Sequence, residues 1–309
     1  MQDSIERQCA ATKLATPPAA TATKVLSVAC SALLILLSSA PAAHAQSNPS
    51  LQSTQATQAR EAAQVGAIIA AEFRKIATSP SQLDRVIATA YGVQLPPDKL
   101  EIARRYMRSS LMDENLATYF GGVLAPLAGS NLTQQQLTAA AMEAMASLQI
   151  KGLSRLSADR QALFVTHLIG TMLWVSPTDC KALALGQMST AQSARLERSY
   201  IASLPIGRFE AITMLYDEAT KAEMRGFPDV RSVNAEQARL AETVYEKAIE
   251  DNLRRMMSQE ALQRFATSGL EGAPANEACV FVQASTAAML DMPEPYKTWQ
   301  LARFTLSMQ

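Results

Sequence analysis

ALFVTHLIGTMLWVSPTDCKALALG, residues 162–186, decides how this chain is read. Its first part, residues 162–175, is apolar nearly all round, the pattern of a helix buried at the centre of a domain. The apolar run stops at Val175. Ser176-Pro177-Thr178-Asp179 then supplies a serine cap, a proline at the first helical position and an acid in the first turn. Two helices therefore meet at this point, and Cys180 lies in the first turn of the second.

Working outward, the same helical spacing recurs on both sides. Ala62, Val65, Ile69, Phe73 and Ile76 fall at three- and four-residue steps, and Thr78-Ser79-Pro80 ends that element. A helix follows over about 81–91. Pro96 and Pro97 open another, with Leu100, Ala103, Met107 and Leu111 on one face, and its pattern continues through Leu116, Phe120 and Leu124. Thr133 with Gln136 has the form of a capping box ahead of Leu137, Ala141, Met145 and Leu148.

Asn234 with Gln237 opens a long helix whose charges pair at four-residue steps: Lys247 with Asp251, Glu250 with Arg254, Asp251 with Arg255. After Pro293 and Pro295 a final short helix carries Tyr296, Trp299 and Phe304, placed to dock on the core. No stretch sustains β alternation. The sequence predicts an all-α fold, a multi-helix globular bundle of roughly ten helices with no significant β-sheet.

Residues 1–45 read as a cleavable secretory leader. Lys24 precedes an apolar run of 13 residues (25–37), and Ala43 and Ala45 frame a site that would be cut before Gln46. The run is too short for a membrane span of about 20 residues, so no stable membrane insertion is expected after cleavage. Residues 46–55 (QSNPSLQSTQ) read as a flexible lead. Residues 56–309 form the helical domain, with a division into two packed subdomains, 56–150 and 151–309, allowed by the pattern. The leader places the protein in the periplasm or outside the cell.

The leader carries Arg7, Lys13 and Lys24 against Asp3 and Glu6; without them 25 basic and 26 acidic residues remain. A net charge near zero gives no electrostatic case for nucleic acid.

Cysteine arithmetic is the sharpest chemical signal. Cleavage removes Cys9 and Cys30 and leaves Cys180 and Cys279 in an oxidising compartment, so the two are expected to form a disulfide. The competing reading pairs Cys180, as a thiolate at a helix start, with His167. His167 sits among Leu163, Phe164, Gly170 and Thr171, a setting that describes a core imidazole.

Once the leader is gone His167 is the only histidine, which excludes sites needing two imidazoles, and the cysteines lack CxxC spacing. GxSxG, SxxK, P-loop and GxGxxG signatures are absent. The acidic pairs Asp113-Glu114, Asp217-Glu218 and Glu250-Asp251 are adjacent, which on a helix turns the carboxylates apart.

The sequence thus predicts no cofactor and no metal. It favours an exported non-catalytic protein that binds another protein, of an inhibitor, immunity or envelope-assembly type. The alternative is an envelope-polymer hydrolase using dispersed carboxylates such as Glu101, Glu143, Glu210 or Glu242.

Overall fold

The computed structural model describes residues 51–127 and 133–309. The leader, with Ala43, Ala45 and Gln46, lies outside the described residues. Thirteen α-helices and no strand occur among the described residues, so the fold is all-α. They are α1 (Leu51–Thr78), α2 (Pro80–Tyr91), α3 (Pro97–Leu111), α4 (Glu114–Leu124), α5 (Gln134–Leu153), α6 (Ala158–Trp174) and α7 (Pro177–Ala184). There follow α8 (Thr190–Ser203), α9 (Ile206–Arg225), α10 (Ala235–Met256), α11 (Gln259–Gly272), α12 (Ala275–Asp291) and α13 (Tyr296–Ser307). No described helix is long and apolar enough to cross a membrane.

The count exceeds the ten expected partly because the pattern from residue 97 to 124 is two helices. Asp113 separates them, its carboxylate accepting from the Asn115 backbone N–H at 2.9 Å and capping α4. Helix α1 takes in residues 51–55 of the stretch read as lead, since beyond Pro49 nothing there breaks a helix. The capping residues act as the sequence implies. Thr133 and Gln136 bond reciprocally ahead of α5, Asn234 and Gln237 do so at α10, and the Ser176 hydroxyl accepts from the Asp179 N–H at 3.1 Å.

The chain forms two compact units. One contains Leu153–Leu196 and Pro228–Gln309; the other contains the described residues up to Gly152 together with Glu197–Phe227.

In the unit of Leu153–Leu196 and Pro228–Gln309, α12 is the hub. It packs against α6, α7, α10, α11 and α13, and its buried residues include Ala278, Ala284, Ser285, Thr286 and Ala288. Small side chains let neighbours approach from every side. The hydroxyls of Ser285 and Thr286 bond back to the carbonyls of Phe281 and Val282, at 2.8 and 2.7 Å, so their burial leaves no polar group unmet.

This corrects the expectation that residues 162–175 form the centre. Phe164, Val165, His167, Leu168 and Thr171 are buried, but α6 surfaces at its end, where Leu173 is 67% exposed and Trp174 also faces out. Apolar residues all round α6 exceed what its neighbours cover, whereas α12 has side chains small enough to be enclosed.

Tyr245 on α10 donates to the Ser285 carbonyl at 3.1 Å and Asn252 to that of Ala284 at 3.2 Å, tying α10 to the hub. Tyr296, Trp299 and Phe304 of α13 pack on the same core, as the sequence implies. Lys247 pairs with Asp251 at 3.1 Å and Arg254 with Glu250. Arg255 departs from the expected pairing: with Asp251 held by Lys247, it reaches Asn252 and Asp291 instead.

The disulfide joins Cys180 on α7 to Cys279 on α12, with Cα atoms 5.5 Å apart. Both cysteines are buried. Lys181 reinforces this corner by donating to the carbonyls of Glu271 and Ala273 at the end of α11, at 2.7 and 2.6 Å.

In the other unit, α1 lies along α4, and α3 packs against α2, α1 and α9. Phe73 and Phe120 meet edge to face at 6.3 Å, and Tyr91 rests on Phe209 at 5.5 Å. Two glycines set the closest approaches: Gly121 of α4 lies against Ala62 and Gly66 of α1, and Gly152 of α5 lies against Ala219 of α9.

Candidate functional site

Among the described residues both cysteines are in the disulfide, so Cys180 offers no thiol for His167 to activate, and the imidazole is buried in the core. Glu101 pairs with Arg104 of its own helix at 3.3 Å, Glu210 with Arg105, and Glu143 is exposed on α5. Glu242 belongs to the other unit, where Arg303 holds it at 2.6 Å. Among the described residues no group of three or more His, Cys, Asp or Glu side chains is placed to hold a metal ion.

The concave feature with the most distinctive chemistry lies in the unit that contains α1–α4 and α9. A cavity of about 70 Å³ opens between α3 and α9. Since about 10–15 Å³ suffices for one water, it has room for a group the size of a single side chain. Five of its wall residues are aromatic: Phe73, Tyr91, Tyr106, Phe120 and Tyr216. Ala103, Leu111, Leu116, Met145, Ile201 and Ile212 supply most of the remaining apolar lining.

The sequence folds this way for local reasons. Ala103, Tyr106, Met107 and Ser110 recur at three- and four-residue steps on α3, and Ile212, Thr213, Tyr216 and Thr220 do the same on α9, so each helix turns one face to the space between them.

A polar cluster marks the rim. The Ser110 hydroxyl donates to Asp217 Oδ1 at 3.1 Å, and Lys221 Nζ donates to Asp217 Oδ2 at 2.7 Å and to Ser109 Oγ at 2.9 Å. The Asp217 carboxylate is thereby matched by a cation and a hydroxyl, which makes it a fixed polar edge.

Deeper in, the Tyr216 hydroxyl donates to the fully buried Glu197 carboxylate at 2.5 Å, fixing its ring in the wall. Burial first, and then the Glu197 charge and its hydrogen bond, push the Tyr216 phenol well above its usual value. Burial also pushes the Tyr91 phenol up to about 12. Both rings face the cavity as neutral phenols.

Two threonine hydroxyls of the wall are engaged as well. Thr213 donates to the Phe209 carbonyl and Thr220 to that of Tyr216, each at 2.8 Å. Gln149 is the exception. It lines the cavity from α5, is 1% exposed, and its Oε1 is buried with no hydrogen-bond partner. Nearly all buried polar atoms in folded proteins are paired, and an unpaired one costs about 1–3 kcal/mol, so each asks for an explanation.

None of these wall or rim residues stands out in the sequence by a motif. Asp217 appears there only as half of an adjacent acidic pair. For Gln149 a signal exists: it falls four residues after Met145, between Leu148 and Ile150, a polar residue on a buried helical face. Comparison with known protein families, with curated proteins and with solved structures finds no match to this chain.

Proposed function

We propose that this chain is an exported, non-catalytic binding protein that recognises another protein and seats one apolar side chain of that partner in the cavity between α3 and α9. The observation that carries this reading is the cavity itself: apolar and aromatic, sized for a single side chain, rimmed by a fixed polar cluster and holding a buried acceptor without a partner. Binding sites combine a mostly apolar wall with a few placed polar groups, and anchor residues of interfaces fill such pockets. Export is supported by the leader pattern and by the disulfide, a bond that persists in oxidising compartments.

The test is crosslinked capture from an envelope extract, run in parallel with the wild-type protein and with Ala103→Leu, which fills the cavity from α3. Circular dichroism and thermal unfolding establish that the variant is folded. A protein recovered repeatedly by the wild type and lost with Ala103→Leu is the expected result. Equal recovery by both removes the cavity as the seat, and recovery of nothing in repeated trials removes the binding reading.

A further inference from the structure

We infer that the cavity between α3 and α9 is a seat for a phenol ring, supplied by a tyrosine of the partner protein, with the Gln149 amide reading its hydroxyl. The inference rests on the binding function proposed above and specifies the group that is bound. Two independent features point to it. The first is the wall, where Phe73, Tyr91, Phe120 and Tyr216 offer ring edges and faces to an aromatic guest.

The second is the pattern of hydrogen bonding. Thr213, Tyr216 and Thr220 direct their hydroxyls to protein acceptors, leaving Gln149 Oε1 as the buried wall acceptor still unpaired. A purely apolar guest would leave that oxygen unmet in a desolvated site. A charged guest would find no counter-charge in the wall, because the Glu197 carboxylate is occupied by Tyr216 and that of Asp217 by Lys221. A hydroxyl meets an amide from either side, donating to its oxygen or accepting from its nitrogen. An aromatic ring ending in a hydroxyl satisfies both the wall and the amide, and among side chains that group is tyrosine.

The experiment is a titration of the purified, disulfide-intact protein with p-cresol, with toluene, and with a short uncharged peptide carrying one tyrosine, followed by calorimetry and by chemical shifts of the wall methyl groups. Wild type is compared with Gln149→Met, which keeps the volume and removes the amide, and with Ala103→Leu. The expected result is that p-cresol binds wild type roughly fivefold more tightly than toluene, the difference one net hydrogen bond supplies. The peptide binds with the same Gln149 dependence. In Gln149→Met the preference vanishes or reverses, and in Ala103→Leu every probe is lost.

Equal binding of p-cresol and toluene to wild type, or an unchanged preference in Gln149→Met, overturns the role of the amide while leaving the cavity as a binding seat. Binding of p-cresol without the peptide overturns the tyrosine source. Binding of none of the probes overturns the seat itself, whereas the capture experiment decides separately whether a partner exists.

Discussion

Gly152 on α5 lies so close to Ala219 on α9 that a Cβ added to it would stand 1.8 Å from the Ala219 carbonyl oxygen. The obstacle is backbone, which cannot swing aside as the end of a flexible side chain would. This contact sets the spacing of α5 and α9, the helices that carry Gln149 and Tyr216 into the cavity wall.

Gly152→Ala is therefore expected to destabilise the protein by about 1–3 kcal/mol or more, the cost of overpacking a closed interface. Gly122 on α4 is the control, because an added Cβ there meets nothing within 4 Å. Gly122→Ala should leave stability unchanged or raise it by up to about 1 kcal/mol through helix propensity. Denaturant midpoints of the two variants, measured side by side, check the contrast; similar midpoints would refute the close approach.

The disulfide closes a separation of 99 residues between α7 and α12. In the chain-entropy account a loop of that length contributes on the order of 4.7 kcal/mol, and removing a native disulfide typically costs about 2–5 kcal/mol. Replacing both cysteines by alanine should lower the unfolding free energy by an amount in that range. The unreduced protein cut before Gln46, which lacks Cys9 and Cys30, should also be two hydrogens lighter than its reduced form and take up no thiol reagent until denatured and reduced. Labelling of Cys180 in the native, unreduced protein would remove the bond.

What the sequence made legible was the part of the fold written locally. The helix starts at Ser176, Asn234 and Thr133 follow from side chains within four residues of the backbone groups they cap. The disulfide followed from counting, since reading residues 1–45 as a cleaved leader leaves Cys180 and Cys279 with one partner each. The hub was not legible. Helix α6 is more evidently apolar, but α12 is enclosed because it is small, and smallness matters only once neighbours are present.

Nor does any local signal show that Glu197–Phe227 belongs to the unit of the N-terminal helices. The cavity depends on that return, because Tyr216 and Asp217 reach α3 only through it. Gln149 carried a weak signal as a polar residue on an apolar face, but its lack of a partner is a property of the assembled wall.

That missing partner has a cost in the unliganded protein. Gln149→Met replaces a buried amide with an apolar group of similar volume, and removing an unsatisfied polar atom recovers about 1–3 kcal/mol. The expected outcome is a higher denaturant midpoint for Gln149→Met in the absence of any ligand. A lower midpoint would mean that the amide is already satisfied in solution, by a bound water, and that it holds no acceptor in reserve for a guest.

The buried phenols give the protein a defined response to alkali. Burial pushes the Tyr91 phenol up to about 12 in the folded chain, against about 10 when unfolded. Its folded value is raised, so between these limits the native state holds a proton that the unfolded state has released, and stability falls as pH rises. The contribution is complete below about pH 10 and is lost progressively up to about pH 12. The gap corresponds to about 3 kcal/mol for Tyr91. Tyr216 and Tyr245, both raised chiefly by burial, act in the same direction. Unfolding free energy measured from pH 7 to 12 should thus decline above about pH 10 in the wild type, and less steeply in Tyr91→Phe. Phenolate absorbance appearing together with loss of helical signal would tie the decline to these side chains. A decline of equal slope in wild type and variant would show that the Tyr91 hydroxyl is not held in the wall as described.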